Sequence, residues 1–367
     1  MPKLTFEILN VTQSNLDITQ YVQSLNFTIG RPSPLSPYSG NSASITMFSY
    51  GGTETSVAIN DEILFKATAT GSTAKNLSRG KIASRSYNDE PGTGLNSTMT
   101  VLINDSMLQA GMLNLISQSL VQTTTQIQEI DGLYPQIQLS TATTQVEMST
   151  GTFSVNANQR INEIIAGDRG QLRNNVLANT LYQAPEAFDV TTTVTIGQTT
   201  SATQIAYQDL VRVEAASNSL FYTQATVTGS ASTETKSSEA LATYGTRTFT
   251  ATTAQSNLVA ETAEWYANAF SDPYAEQLLL SFSDIAQTTE ALKLFNAFLP
   301  ATAFVQVSYT PPGGVLTTGY YWPEQITVNA TTSQTVIDMV MTPLTYYANF
   351  ILDDTVFGVL DTDRLGV

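Results

Sequence analysis

Along the first hundred residues, apolar side chains recur at every second position in short runs. KLTFEIL puts Leu4, Phe6 and Ile8 on one side, and LNFTIG does the same with Leu25, Phe27 and Ile29. This is the period of strands with one buried face. Between them, DITQY has Asp17 and Gln20 at capping-box spacing, which predicts one short helical turn. GRPSPLSPYSG is a proline-punctuated loop, and SASITMFSY, DEILFKATA, GKIASRSYN and STMTVLIND follow as further strands. Strands at this spacing predict a small antiparallel barrel or sandwich.

At Asp105 the period changes. Leu108, Met112, Leu115, Ile116 and Leu120 fall at helical spacing, so DSMLQAGMLNLISQSLVQ reads as an amphipathic helix. SVNANQRINEIIAGDRG reads as a second, shorter helix with Ile161, Ile164 and Ile165 on one face and Gly167 or Gly170 as its stop. Strands return with DVTTTVTIG and LFYTQATVTGS. A third helix is predicted over 256–271, with Ser256 as N-cap, Leu258, Thr262, Trp265, Tyr266 and Ala269 on one face, and Asp272-Pro273 ending it. EQLLLSFS is followed by TTEALKLFNAFL, read as a short helix with a strand as the open alternative. FVQVSYTPPGG, YYWPEQITVN and QTVIDMVMTP predict a three-stranded meander, with turns at 311–314 and 329–332. The fold class expected is mainly β with an α+β insertion: a β-rich region over 1–104, an α+β unit over 105–199, a second β-rich region over 200–345, and a C-terminal segment over 346–367.

Composition narrows the chemistry. The 367 residues contain no cysteine and no histidine. Disulfides, thiolate and imidazole metal sites, and serine–histidine or cysteine–histidine mechanisms are therefore excluded. The formal net charge of −16 disfavours affinity for phosphate backbones or anionic membranes. Charged residues make up only 13%, so the remaining polarity is Thr, Ser, Gln and Asn, which suits strand faces. The start MPKLTFEILNV has no apolar secretory core, and no run reaches the ~18 apolar residues of a membrane span. Synthesis as a soluble cytoplasmic protein is expected, and the sequons at Asn26 and Asn76 read as by-products of composition.

Two carboxylates about 5–9.5 Å apart would suffice for glycoside hydrolysis. The adjacent pairs Asp61-Glu62, Asp89-Glu90 and Asp353-Asp354 do not offer this, because strand neighbours point to opposite faces, and they read as solvated turn acids. In DTDRLGV, Asp361 and Asp363 have the spacing of oxygen ligands, but the pattern of a calcium loop breaks off at Val367; calcium stays open as an alternative to surface acids flanking apolar anchors. YGGTET lacks the lysine and spacing of a phosphate loop. The stripe with Trp265 and Tyr266 reads as helix core. No catalytic, cofactor-binding or metal-binding residue is assigned, and no cofactor is expected.

The order of landmarks resembles the tail-tip or baseplate hub proteins of tailed bacteriophages, often labelled minor tail proteins. The resemblance runs through DITQYVQSLNFTIGR, NSASITMFS, VAINDEILF, LSRGKIASRSYN, STMTVLINDSMLQAG, RINEIIAGDRGQL and IAYQDLVRVE. Its most recognisable piece is SSEALATYGTRTF, where Ser238, Tyr244, Gly245 and Arg247 match a Ser-x(n)-Tyr-Gly-x-Arg stretch preceding a helix. The Trp322 meander and ILDDTVFGVLDTDRLG follow in family order. The region 121–150 is unusually Thr/Gln-rich, and TTTVTIGQTTS matches poorly. The resemblance implies two tube-type β-barrels per chain, over 1–104 and 200–345, and a homotrimeric ring with pseudo-sixfold symmetry that continues the tail tube. It implies no catalysis and a place in the virion. The implied partners are the tail tube ring, the tape measure protein and a tip spike or tail fibre proteins, with DNA passing through the lumen unbound.

On this reading the lumen is expected to be net negative, so that it repels phosphates. A β-rich adhesin or tail-spike subunit that binds host-surface carbohydrate is the alternative, and a carboxylate-dependent depolymerase the third. Phe350, Ile351, Val356, Phe357, Val359, Leu360 and Leu365 read as apolar anchors of a C-terminal arm that packs across its own chain or a neighbour.

Overall fold

A computed structural model gives the fold and describes residues 5–38, 40, 42–48, 56–68, 73–88, 97–120, 137–139, 151–168, 171–175, 179–183, 192–197, 204–206, 210–216, 220–273, 277–283, 304–309 and 317–343. The period-two runs at the start form β1 (Thr5–Asn10), β2 (Leu16–Asp17), β3 (Val22–Gly30), β4 (Ser42–Phe48), β5 (Glu62–Thr68), β6 (Lys75–Asn88) and β7 (Thr98–Asn104). They pair antiparallel in the order β2-β1-β5-β6-β7-β4-β3. Before β3, Thr19–Tyr21 makes the single helical turn expected there, and the Asp17 carboxylate accepts from the Thr19 N–H at 2.9 Å.

Further along the chain come α1 (Ser106–Ala110), β8 (Asn114–Leu120), β9 (Ile137–Leu139), β10 (Gly151–Asn156), α2 (Ala157–Asp168), β11 (Gln171–Asn175), β12 (Asn179–Gln183), β13 (Thr192–Gly197), β14 (Gln204–Ala206) and β15 (Leu210–Ala216). The long helix expected from Asp105 is corrected: α1 is five residues long, and Asn114–Leu120 is a strand paired with β10. Asp105 does cap α1, accepting from the Leu108 N–H at 2.8 Å. Gly111 then ends it, since a glycine inside a helix costs about 1 kcal/mol. The Ser/Gln-rich run beyond it has too little helix propensity to compete with a strand partner. α2 is as expected, with Ile161, Ile164 and Ile165 buried.

β16 (Gln224–Thr228), β17 (Thr233–Ser237), α3 (Leu241–Tyr244), β18 (Thr248–Thr252) and α4 (Val259–Ala269) form a separate small unit, a sheet in the order β17-β16-β18 with α4 packed on one face. The helix is where the sequence put it, but Ser256 is not its cap. Its hydroxyl pairs with that of Ser230 at 2.6 Å, and a 3-10 turn over Ser256–Leu258 precedes Val259. The start at Val259 turns Val259, Thr262, Ala263, Tyr266 and Ala267 inward and leaves Leu258, Trp265 and Ala269 half-buried.

Last come β19 (Gln277–Ser283), β20 (Phe304–Tyr309), β21 (Thr317–Thr331) and β22 (Thr335–Pro343). The expected meander is present: β20, β21 and β22 pair antiparallel in sequence order, and the Thr331 N–H closes the second turn on the Gln334 C=O at 2.7 Å. β21 also pairs with β3, which joins the two β-rich regions in one 14-stranded sheet. β13 belongs to that sheet too, beside β20. A single apolar cluster backs it, running from Ile8 and Phe27 to Met339 and Met341, with Phe27 stacked on Phe65 at 5.5 Å. The chain is therefore mainly β. The stretches 288–299, 311–314 and 346–367, most of 121–150, and the acids at 89–90, 353–354, 361 and 363 lie outside the described residues.

Candidate functional site

One edge of β21 serves two strands in succession. Thr317–Tyr321 pairs with β20, and Gln325–Thr331 pairs with β3. Between the two lies Trp322-Pro323-Glu324. Across the other edge, Pro323 faces Met341 and Gln325 faces Val340 on β22, so Glu324 is the extra residue of a β-bulge. The bulge reverses the side-chain parity of β21. Tyr321 packs against the core before it, and Ile326 and Val328 are inward after it.

Glu324 is 1% exposed, and its carboxylate accepts from Arg31 Nε at 3.0 Å. The Arg31 N–H also donates to the Glu324 C=O at 3.0 Å. This backbone approach sets Gly30: a Cβ there would lie 1.9 Å from the Glu324 oxygen, and its φ is +92°. The Arg31 guanidinium sits 4.6 Å above the Tyr38 ring. Tyr38 is clamped by α2, its N–H donating to Asn162 Oδ1 at 2.7 Å and its C=O accepting from Asn158 and Asn162 amides at 2.9 and 3.0 Å. Sheet, loop and helix thus meet at one buried ion pair. The sequence signal for it was the proline inside a strand run, which marks a bulge or an edge.

The seam gives the large sheet an unbroken outward face. Over the middle strands that face carries Gln306 and Ser308 on β20, Tyr320, Gln325, Thr327, Asn329 and Thr331 on β21, Ser24, Asn26 and Thr28 on β3, Ser42, Ser44, Thr46 and Phe48 on β4, and Thr98, Thr100 and the exposed Leu102 on β7. Thr28 and Thr327 hydroxyls meet at 3.1 Å across the seam, and the Asn26 amide donates to Asn329 Oδ1. Among the described residues, these five strands point no charged side chain outward. Asp338, on neighbouring β22, accepts from the Ser281 hydroxyl.

The flank over β1, β5 and the first half of β6 is different. There Lys66 Nζ lies 3.6 Å from Glu7, and Arg79 grips Glu62 through Nε at 2.5 Å and a second nitrogen at 2.6 Å. Such a surface offers flat polar contact in the middle and charge at one side. Among the described residues it presents no nucleophile paired with a base.

The residues singled out in the sequence have structural positions. Asp61 and Glu62 point apart, as strand neighbours do, but Asp61 is not the solvated acid expected. It is 7% exposed and accepts from the Asn10 amide at 2.6 Å, the Gln13 amide at 2.9 Å and the Ala58 N–H at 2.8 Å. Burial raises its pKa; these hydrogen bonds and the charge of Arg85 outweigh burial and hold it below the ordinary aspartate value. A reverse turn needs its loose N–H groups satisfied, and a buried carboxylate does that.

In the Ser-x(n)-Tyr-Gly-x-Arg stretch, Ser238 donates to the Thr223 C=O, Tyr244 packs edge-on against Phe221 at 5.2 Å, and Arg247 lies 5.1 Å from the same ring. Gly245 takes φ +72° to end α3. The motif is a fold device joining β17 to β18. Tyr266 is a core residue and Trp265 packs half-buried against the same cluster; the two form one wall of a cleft of 290 Å³ between β18, α2 and the 31–37 loop.

No family model matches the sequence, and no curated protein is similar to it in sequence. Solved structures do match. A tail protein from Neisseria meningitidis MC58 aligns over 94% of this chain and 98% of its own, at 8% identity and a TM-score of 0.60. The 43 kDa tail protein of prophage MuSo2 from Shewanella oneidensis aligns over 94% and 100%, also at 8% identity and 0.60. An E. coli component of the type VI secretion system, described as structurally similar to the T4 bacteriophage tail proteins gp27 and gp5, aligns over 88% and 73% at 8% identity and 0.53. At these identities the likeness is one of fold, and the chain is built on the fold of the phage tail proteins.

Proposed function

We propose that this protein is a non-enzymatic structural component of a phage-type tail: a homotrimeric hub in which each chain contributes two tube-type units, so that three chains continue a tail tube and carry it to the tip. The observation that carries the reading is the seam between β3 and β21, which makes one sheet, and one outward face, out of two β-rich regions. Likeness of fold to tail proteins along nearly the whole chain supports it.

On this reading the uncharged face over β20, β21, β3, β4 and β7 lines the passage. Hydroxyl and amide groups neither attract nor repel phosphates strongly, so nucleic acid would slide without the counterion release that drives binding to basic surfaces. The net acidity of the chain, expected from charge count to line the lumen, would then lie elsewhere. The tail tube ring, a tape measure protein and tip or fibre proteins are the partners, and the virion tail is the location.

The experiment is the mass of the purified chain in solution, alone and with tail tube protein. Three times the 39.6 kDa chain mass, and joint rings with the tube protein in micrographs, are expected. A tight monomer that ignores tube protein overturns the reading.

A further inference from the structure

The small sheet ends in an open edge, and that edge lies on the cleft. Among the described residues, β18 pairs with β16 alone, in parallel. The Gln224 N–H donates to the Arg247 C=O at 3.1 Å, and the Thr253 N–H donates to the Thr228 C=O at 2.9 Å. In a parallel ladder alternate residues bond to the same neighbour, so residues 247, 249, 251 and 253 turn their main-chain groups to β16. The N–H and C=O groups of Thr250 and Thr252 therefore point the other way and have no partner among the described residues. Both residues line the cleft. Both residues are solvent-exposed, and unpaired main-chain groups at an open edge are a template on which an extended segment can pair.

The cleft suits such a segment. Phe249 and Ala251 face the same side of β18 as Trp265 and Tyr266, and Leu35 and Ile165 close the opposite wall. A strand added beside β18 would turn every second side chain into this apolar space, the mode by which peptides are captured at sheet edges.

The occupant is marked by where the chain goes. β22 ends at Pro343, opposite Tyr321 and next to the Trp322–Glu324 bulge. Gln277 ties that end to the 31–37 loop, part of which lines the cleft, its amide reaching the Thr342 hydroxyl at 3.2 Å and the Pro32 C=O at 3.4 Å. Residues 344–367 thus start beside the cleft. Their sequence contains Thr355-Val356-Phe357-Gly358-Val359, in which Phe357 and Val359 share one side of a strand.

We propose that the cleft is a docking groove for the protein's own C-terminal segment, which adds a strand to β18 with Phe357 and Val359 in the apolar pocket. This is independent of the tail reading. Hydrogen exchange on the full chain tests it. In the native protein, the Thr250 and Thr252 amides should exchange at least about tenfold slower than open-edge amides, at a rate independent of protein concentration. In the F357D/V359D double variant that protection should vanish, while the Phe27 and Val101 amides of the large sheet stay protected. Unprotected Thr250 and Thr252 in the native protein overturn the proposal, as does protection that survives the double variant. Protection that grows with protein concentration also overturns it, by giving the groove to a second copy's segment.

Discussion

The flank and the middle of the large sheet have the same inside and opposite outsides. Over β1, β5 and β6 the inward residues Ile8, Phe65 and Ile82 belong to the same cluster as Phe27, Ile45 and Ile326 in the middle. Outward, the flank carries the Glu7–Lys66 and Glu62–Arg79 pairs, and the middle carries threonine, serine and amides, with Phe48 and Leu102 among them and no charge. Folding is served equally well by both, since either outside leaves the alternation intact. What separates them is what each can touch: the middle can meet a polyanion or another copy of this acidic chain without a Coulomb term. The difference teaches that outward residues, not the core, carry whatever function the face has.

The most damaging test falls on the seam that makes the middle continuous. Replacing Glu324 with Gln leaves the buried Arg31 cation without its counter-charge, and a loss of about 3–5 kcal/mol is expected in denaturant unfolding. If the loss is confined to a few tenths, the ion pair does not hold the two regions together. Gly30→Ala puts a methyl group into the Glu324 carbonyl at a left-handed φ, and about 1–3 kcal/mol should be lost for the backbone strain, before any shift of β21.

Changing the middle into a charged surface sharpens the comparison in the other direction. The triple variant N26K/T28K/T327K should cost about 1–2 kcal/mol, because it removes the Thr28–Thr327 and Asn26–Asn329 hydrogen bonds and sets two lysines opposite each other across the seam. It should nevertheless gain duplex DNA binding that weakens with salt, with a slope near −0.9 per phosphate contacted. Filter binding across a salt series reads this, and no gain of binding would mean that the face is not open to nucleic acid.

At the flank, Asp61 predicts a pH effect of definite sign. Its pKa is depressed in the folded state, so its contribution is complete well above the ordinary aspartate pKa of about 3.9 and is lost as pH falls through the lower folded value. Stability of the native protein should drop on acidification over that range, and Asp61→Asn should flatten that part of the profile. The smallest effect belongs to the exposed pair: Lys66→Met should cost less than about 1 kcal/mol, and less still at high salt.

Much of the architecture was legible because period and punctuation are local. β3 to β7, α2, the Trp265 helix and the closing meander stand where alternation, helical spacing and turn residues put them. The exceptions have one kind of cause. A helix pattern from Leu108 to Leu120 gave way to a strand because Gly111 and a Ser/Gln-rich run left the choice to a partner, β10. The Ser256 hydroxyl pairs with that of Ser230 instead of capping the helix, and the wall the Trp265 helix shares with the cleft depends on a loop more than two hundred residues earlier.

By itself the sequence determined that the chain is β-rich, acidic, without thiol or imidazole chemistry, and patterned for one-sided burial; each follows from residue identity and from spacings of two to four residues. Only the tertiary structure decided that β3 and β21 are neighbours, that Glu324 is the residue a bulge delivers to Arg31, and that the polar sides of five strands merge into one uncharged face. Those depend on pairings between positions some three hundred residues apart. Their register is set by backbone hydrogen bonds and by the fit of a shared core, which no local pattern encodes.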